Sequence, residues 1–167
     1  MIRSRTSRGH LLSRLWLVAG LFLGTGSSLG LADGAGAPPL ADLNPAMVTY
    51  QHPDQIKWTG SSAGAQQAVL LGDPSKTGLY IVLVKWNPHN MSRPHFHPND
   101  RYITVLSGTW WVGSGTKFDP DATVAMPAGS YVVDLAKQPH YDGAKDEAAI
   151  IEIVGEGPAT ITPAEEK

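Results

Sequence analysis

From residue 46 onward, apolar residues gather in short stretches separated by clusters of Gly, Pro, Asn and Asp. The stretches are Ala65–Leu71, Leu79–Trp86, Arg101–Leu106, Thr109–Val112, Thr123–Met126, Ser130–Leu135 and Ala148–Val154. Short runs bounded by turn formers predict β-strands, and no segment carries the longer period of an amphipathic helix. Many short strands joined by Gly/Pro turns predict an all-β sandwich or barrel, and a jelly roll is one way for such a chain to hide its edges. Ser107-Gly108 is placed for a tight turn between Arg101–Leu106 and Thr109–Val112, with Gly113-Ser114-Gly115 closing the hairpin. There is no internal repeat.

The beginning of the chain follows another pattern. Arg3, Arg5, Arg8 and Arg14 precede the apolar run Leu15–Leu23, and small residues lead on to Gly30-Leu31-Ala32. A basic region, a short apolar region and small residues at the −3 and −1 positions predict a secretory signal peptide, residues 1–32, cut after Ala32. The apolar run is short for a membrane span. Residues 33–45 then read as a flexible leader, 46–158 as a single folded domain and 159–167 as a frayed C-terminal tail.

Cleavage would change the charge. Four of the 13 basic residues lie in 1–32, which leaves nine against 15 acidic ones and a mature chain near −6. An acidic surface argues against nucleic acid and anionic membranes as partners. The expected location is periplasmic or secreted. With no cysteine in the chain, thiolate ligands, disulfides and a cysteine nucleophile are excluded.

The sharpest chemical signal is Arg93-Pro94-His95-Phe96-His97-Pro98. Alternate residues of a strand face the same side, so His95 and His97 aim two imidazoles into one space. His140, at the end of a later strand-like stretch, is the third candidate, and three imidazoles could hold a divalent transition metal: Fe, Mn, Ni, Cu or Zn. Asp100 would join them only if a bulge turned it inward. His52 and His89 sit in turn-like runs and are expected in exposed loops. Tyr102, Tyr131 and Tyr141 are expected at the barrel rim with their hydroxyls satisfied. Trp110 and Trp111 are consecutive, so one faces inward and the other outward.

These residues resemble the cupin superfamily. His95-x-His97, three residues, Arg101, six residues and Gly108 are similar to the first cupin motif, in which a glutamate stands where Arg101 is. Gly129, five residues, Leu135-Ala136-Lys137, two residues and His140 are similar to the second, with Leu135, Lys137 and Ala144 replacing the usual Pro, Gly and Asn. Phe96–Arg101, Leu106–Trp110, Met126–Ser130 and Pro139-His140-Tyr141 further resemble the metal-binding cupin half of some bacterial anti-sigma factors. The resemblance implies a single-domain jelly-roll β-barrel with its metal inside, and commonly a homodimer.

Arg101 departs from that pattern. It cannot ligate a metal, because it stays protonated. It shares strand parity with His97, so it points inward unless a bulge intervenes. An inward guanidinium beside a divalent ion favours a small anionic molecule, gripped through two nitrogens. The other reading has Arg101 at the barrel mouth, paired with Asp100 or Asp134. Two functions follow. One is an exported metal-dependent enzyme of dioxygenase or hydrolase/lyase type, acting on a small anion, with Arg101 and Tyr141 the candidates for a catalytic role. The other is a non-catalytic sensor or carrier whose metal is structural or absent.

Export gives the first testable prediction. Mass spectrometry of the exported protein should find its N-terminus at Asp33; an intact Met1 would contradict the signal-peptide reading.

Overall fold

The computed structural model describes residues 43–167; the expected signal peptide and most of the leader lie outside them. Residues Val48–Lys167 form one compact unit. All seven predicted strands are present, with five further ones besides. In chain order they are β1 (Thr59–Gly60), β2 (Ala65–Leu71), β3 (Gly78–Trp86), β4 (Asn90–Met91), β5 (His95–Phe96), β6 (Arg101–Ser107), β7 (Thr109–Ser114), β8 (Val124–Pro127), β9 (Tyr131–Asp134), β10 (His140–Ala144), β11 (Ala149–Gly157) and β12 (Thr162–Pro163). They build two antiparallel sheets, ordered β1-β2-β3-β11-β6-β9 and β12-β5-β10-β7-β8, with β4 also paired to β10. This is the all-β jelly-roll barrel expected from the sequence.

The first sheet shows how alternation makes the interior. Val82 pairs with Ile153 and Val84 with Ile151, while on the other side of β11 Ile153 pairs with Ile103 and Ile151 with Val105. These partners stand on one face, and with Trp110, Ala149 and Tyr80 they form the buried core. Each Ile or Val removed from water contributes roughly 1.5–3 kcal/mol, so this row is the main stabilising element. The same face continues to Arg101, which pairs across the sheet with Gly155 on one side and Asp134 on the other. The interior therefore passes from apolar to charged along a single strand, β6.

The expected hairpin at Ser107-Gly108 does not form. β6 pairs with β11 and β9, whereas β7 pairs with β10 and β8, so Gly108 is the corner at which the chain crosses from one sheet to the other. Both flanking strands have a buried face and find their partners elsewhere in the chain, which a two-residue turn in the local sequence does not reveal. Gly108 takes φ +69, and a Cβ there would lie 2.0 Å from the Ala148 carbonyl oxygen.

The C-terminal residues are strapped down, where the sequence suggested fraying. β12 pairs with β5, the Ala164 amide donates to the Pro94 carbonyl at 2.8 Å, and Arg93 forms an ion pair with Glu165. β5 itself is only two residues long because Pro94 and Pro98 flank it and neither can donate to a ladder.

Gly108→Ala combines a left-handed backbone with a backbone collision. It should cost at least about 1–3 kcal/mol, read as a lower urea midpoint. An unchanged midpoint would show that the corner can relax.

Candidate metal centre

The second sheet brings the histidines together. β10 pairs with β5 in a register that sets His140 opposite His95, and His97 follows two residues after His95. All three are buried, at 7%, 3% and 7% exposure for His95, His97 and His140. One ring nitrogen from each lies within 4.8 Å of the others, with ring centroids 4.6 to 5.5 Å apart.

Each ring is oriented by a backbone carbonyl. Nδ1 of His95 faces the Arg93 oxygen at 2.8 Å, Nδ1 of His97 the Thr160 oxygen at 2.9 Å, and Nδ1 of His140 the Gln138 oxygen at 3.1 Å. A carbonyl only accepts, so each contact places the hydrogen on Nδ1 and leaves Nε2 as the lone pair that a metal uses. Nε2 of His97 is fully buried and has no hydrogen-bond partner. Unpaired buried nitrogen is costly, and a divalent ion bound there would satisfy it. The three residues thus fit a transition metal in donor type, tautomer and spacing.

Burial favours the neutral form of two of the rings. His97 is pushed down to about 3, first by desolvation and then by the nearby Arg101 charge and His95. His95 is also lowered, chiefly by desolvation. Both effects keep lone pairs free for a metal rather than for protons.

Arg101 does point inward. Its Nη2 forms an ion pair with Asp134, itself 6% exposed, and approaches Nε2 of His140 at 3.4 Å. The two sequence readings are therefore combined: Arg101 pairs with Asp134, but in the interior and not at the mouth. Its Nε is buried without a partner. Opposite lies Asp142, also buried, which accepts from Ser92 Oγ at 2.7 Å and from the Trp110 indole at 3.0 Å. A cavity of about 390 Å³ opens between these groups, lined by His95, His97, Arg101 and Asp142 and walled by Tyr80 and Trp86.

The remaining candidates are placed elsewhere. The Tyr141 hydroxyl donates to the Asp119 carbonyl at 2.9 Å, and its ring packs on Phe118 and Gly113, where a Cβ would meet the ring at 2.2 Å. Tyr141 follows His140 directly on β10 and so takes the opposite face, with its hydroxyl committed to Asp119; the geometry gives it no part in the site. Asp100 accepts from the Ala136 amide at 2.7 Å and braces a loop. His52 and His89 are exposed, as are Tyr102 and Tyr131. Trp110 is fully buried while Trp111 lies under Lys145. Sequence reasoning missed Asp142, Tyr80 and Trp86. Asp142 shares strand parity with His140, which was the available signal.

Comparison with known proteins agrees with this geometry. The model of the ChrR cupin-like domain family matches residues 46–160, and the chain belongs to that family. Among solved structures, the polyketide cyclase RemF from Streptomyces resistomycificus superposes with a TM-score of 0.60 at 16% identity, covering 72% of this chain and 88% of its own. A double-stranded β-helix protein from Klebsiella pneumoniae gives 0.52 at 22% identity, covering 65% and 90%. The DMSP lyase DddQ from Ruegeria pomeroyi gives 0.52 at 15% identity, covering 66% and 64%. At these identities the likeness is one of fold. A comparison with the curated proteins finds no match.

The lowered histidines make a pH prediction for the metal-free protein. Unfolded histidine titrates near 6.5, so above that value both states carry neutral rings and stability is at its full level. As pH falls below it, the unfolded chain takes up protons that His97 refuses until about 3, and stability is lost. Melting temperature should fall between pH 7 and pH 5, and less steeply in His97→Gln. Equal slopes would mean that His97 does not carry this effect.

Proposed function

We propose that this chain is an exported, metal-dependent cupin enzyme that acts on a small carboxylate or other oxyanion. The observation that carries the reading is the convergence of three Nε2 lone pairs, each fixed by a carbonyl behind its ring. His95, His97 and His140 would hold one divalent ion. Imidazole donors suit Fe, Ni, Cu and Zn, and the chain has no thiolate to bias the choice. When bound, such an ion supplies Lewis acidity at the open coordination positions, or redox chemistry if it is iron or copper.

The protein residues support an anionic partner. Imidazole ligands add no charge to a divalent ion, the Arg101–Asp134 pair cancels, and Asp142 offsets one unit, which leaves the cavity net positive with the ion bound. Nε of Arg101 and Nε1 of Trp86 are buried donors without partners, and both residues line the cavity. A ligand bearing acceptor oxygens would satisfy them. Val82, Val84, Ile151 and Ile153 supply an apolar wall, which suits a ligand with a hydrocarbon body and excludes water from the reacting end. Export is supported by the basic, apolar and small-residue order of 1–32. A homodimer is the assembly the family resemblance suggests, and sedimentation would test it.

The test begins with elemental analysis of protein taken from its native compartment, which should show about one transition metal per chain, lost in His97→Ala. Calorimetry of metal-loaded protein with a panel of small carboxylates should then detect binding that weakens by about 1.5–3 kcal/mol in Arg101→Ala, with metal retained. Anion binding indifferent to Arg101 would reduce that residue to a brace. Absence of metal from the native protein would remove the enzyme reading.

A further inference from the structure

The barrel interior turns polar at one level, shared by adjacent strands. On β3, β11 and β6 the inward positions run Val84–Val82–Tyr80, Ile151–Ile153–Gly155 and Val105–Ile103–Arg101, and Arg101 pairs in turn with Asp134 on β9. The aliphatic face thus gives way in the row Tyr80–Gly155–Arg101–Asp134. This row is also the metal end of the cavity, because Nη2 of Arg101 approaches Nε2 of His140 at 3.4 Å.

Tyr80 is the member of the row whose chemistry is unused. It is 2% exposed and lines the cavity, yet among the described residues no group pairs with its hydroxyl. Buried phenols ordinarily find a partner. The direction of this one is fixed by the residue across the strand pair. A Cβ at Gly155 would lie 2.6 Å from the Tyr80 hydroxyl oxygen and 2.8 Å from the ring carbon that bears it, so the end of the phenol rests in the notch that glycine leaves. Arg101 stands opposite Gly155 on the other side, and the Cβ positions of such opposed residues are about 4.5–5.5 Å apart. The hydroxyl is therefore carried beyond its own strand toward the base of the Arg101 side chain. Burial raises the pKa of the phenol, with the Arg101 charge opposing and Asp134 adding, so it is a donor at neutral pH.

We propose that Tyr80 is a substrate-contacting residue, and that its hydroxyl and the Arg101 guanidinium hold the two oxygens of one carboxylate beside the metal. The proposal rests on the anion-binding reading above and names the group recognised and its second holder. Nη2 of Arg101 is engaged by Asp134, whereas Nε is a buried donor without a partner. A carboxylate accepts at each oxygen from donors about 2.7–3.0 Å away, one from each side chain. Val82 and Ile153, one step along the same strands, then meet the hydrocarbon attached to it.

Calorimetric titration of Co²⁺-loaded protein with benzoate and butanoate tests this. Tyr80→Phe keeps the ring over Gly155 and deletes only the hydroxyl, and circular dichroism checks its folding. It should weaken both ligands by at least about tenfold, while Co²⁺ affinity stays within about twofold of wild type. In the double variant with Arg101→Ala, the loss should fall short of the product of the two single losses by about threefold or more, as for donors that share one group. Unchanged carboxylate binding in Tyr80→Phe, where wild type binds and Arg101→Ala binds weakly, would leave the anion reading standing and remove Tyr80 from it. Co²⁺ affinity that falls in step with carboxylate affinity would make Tyr80 a structural support and overturn the proposal. Losses that multiply in full would overturn it too, by placing the two side chains on separate groups. If Co²⁺-loaded wild type binds neither carboxylate, both readings fall together.

Discussion

The site depends on three backbone carbonyls that each hold a histidine by Nδ1. The Arg93, Thr160 and Gln138 oxygens belong to different parts of the chain, yet together they set one tautomer three times and turn three lone pairs inward. A free imidazole in water exchanges tautomers and rotates; here both freedoms are removed before any ligand arrives. That preorganisation is what makes a cluster of buried histidines a candidate metal centre rather than a set of core residues with satisfied rings.

The fold provides these carbonyls in a way that explains its less regular parts. Arg93 and Gln138 lie two residues before the histidines they support, so local chain direction suffices. Thr160 is 63 residues from His97, and it is held in place by the last strand: β12 on β5, the Ala164 amide on Pro94, and the Arg93–Glu165 pair. The C-terminal strap is thus part of the site. Damage at Thr162 or Glu165, on the surface, would be transmitted to a buried imidazole through the Thr160 carbonyl.

Much of this was legible in the sequence. The seven main strands follow from apolar stretches between turn formers; His97 and Arg101 both point inward, but not through a shared strand, since residues 97–100 lie outside strands and β5 and β6 belong to different sheets. His140 was found by its place near a strand. What local pattern could not supply was partner choice. Gly108 reads equally as a hairpin turn or as a corner between sheets, because both need a left-handed residue, and only the competing partners β11 and β10 decide. The polar tail after Ala159 carries no strand signal, since its pairing is two residues long and rests on side chains distant in sequence. Asp134 was one of two partners open to Arg101 in the sequence, with Asp100 the other, and the register of β6 on β9 decides between them.

The interior charge balance follows from the same register. Arg101 and Asp134 neutralise one another in a space that water would otherwise have to enter, while Asp142 is held separately by Ser92 and Trp110. A buried ion pair contributes little net stability when weighed against desolvation, so its presence here is better accounted for by the chemistry of the cavity than by folding. The central claim is that the three Nε2 atoms share one ion. X-ray absorption at the metal edge of protein purified with its native metal tests this most directly. The account predicts multiple scattering from three imidazole rings, with nitrogen and oxygen neighbours at roughly 2.0–2.2 Å; a metal with fewer than three imidazoles in its shell would contradict it.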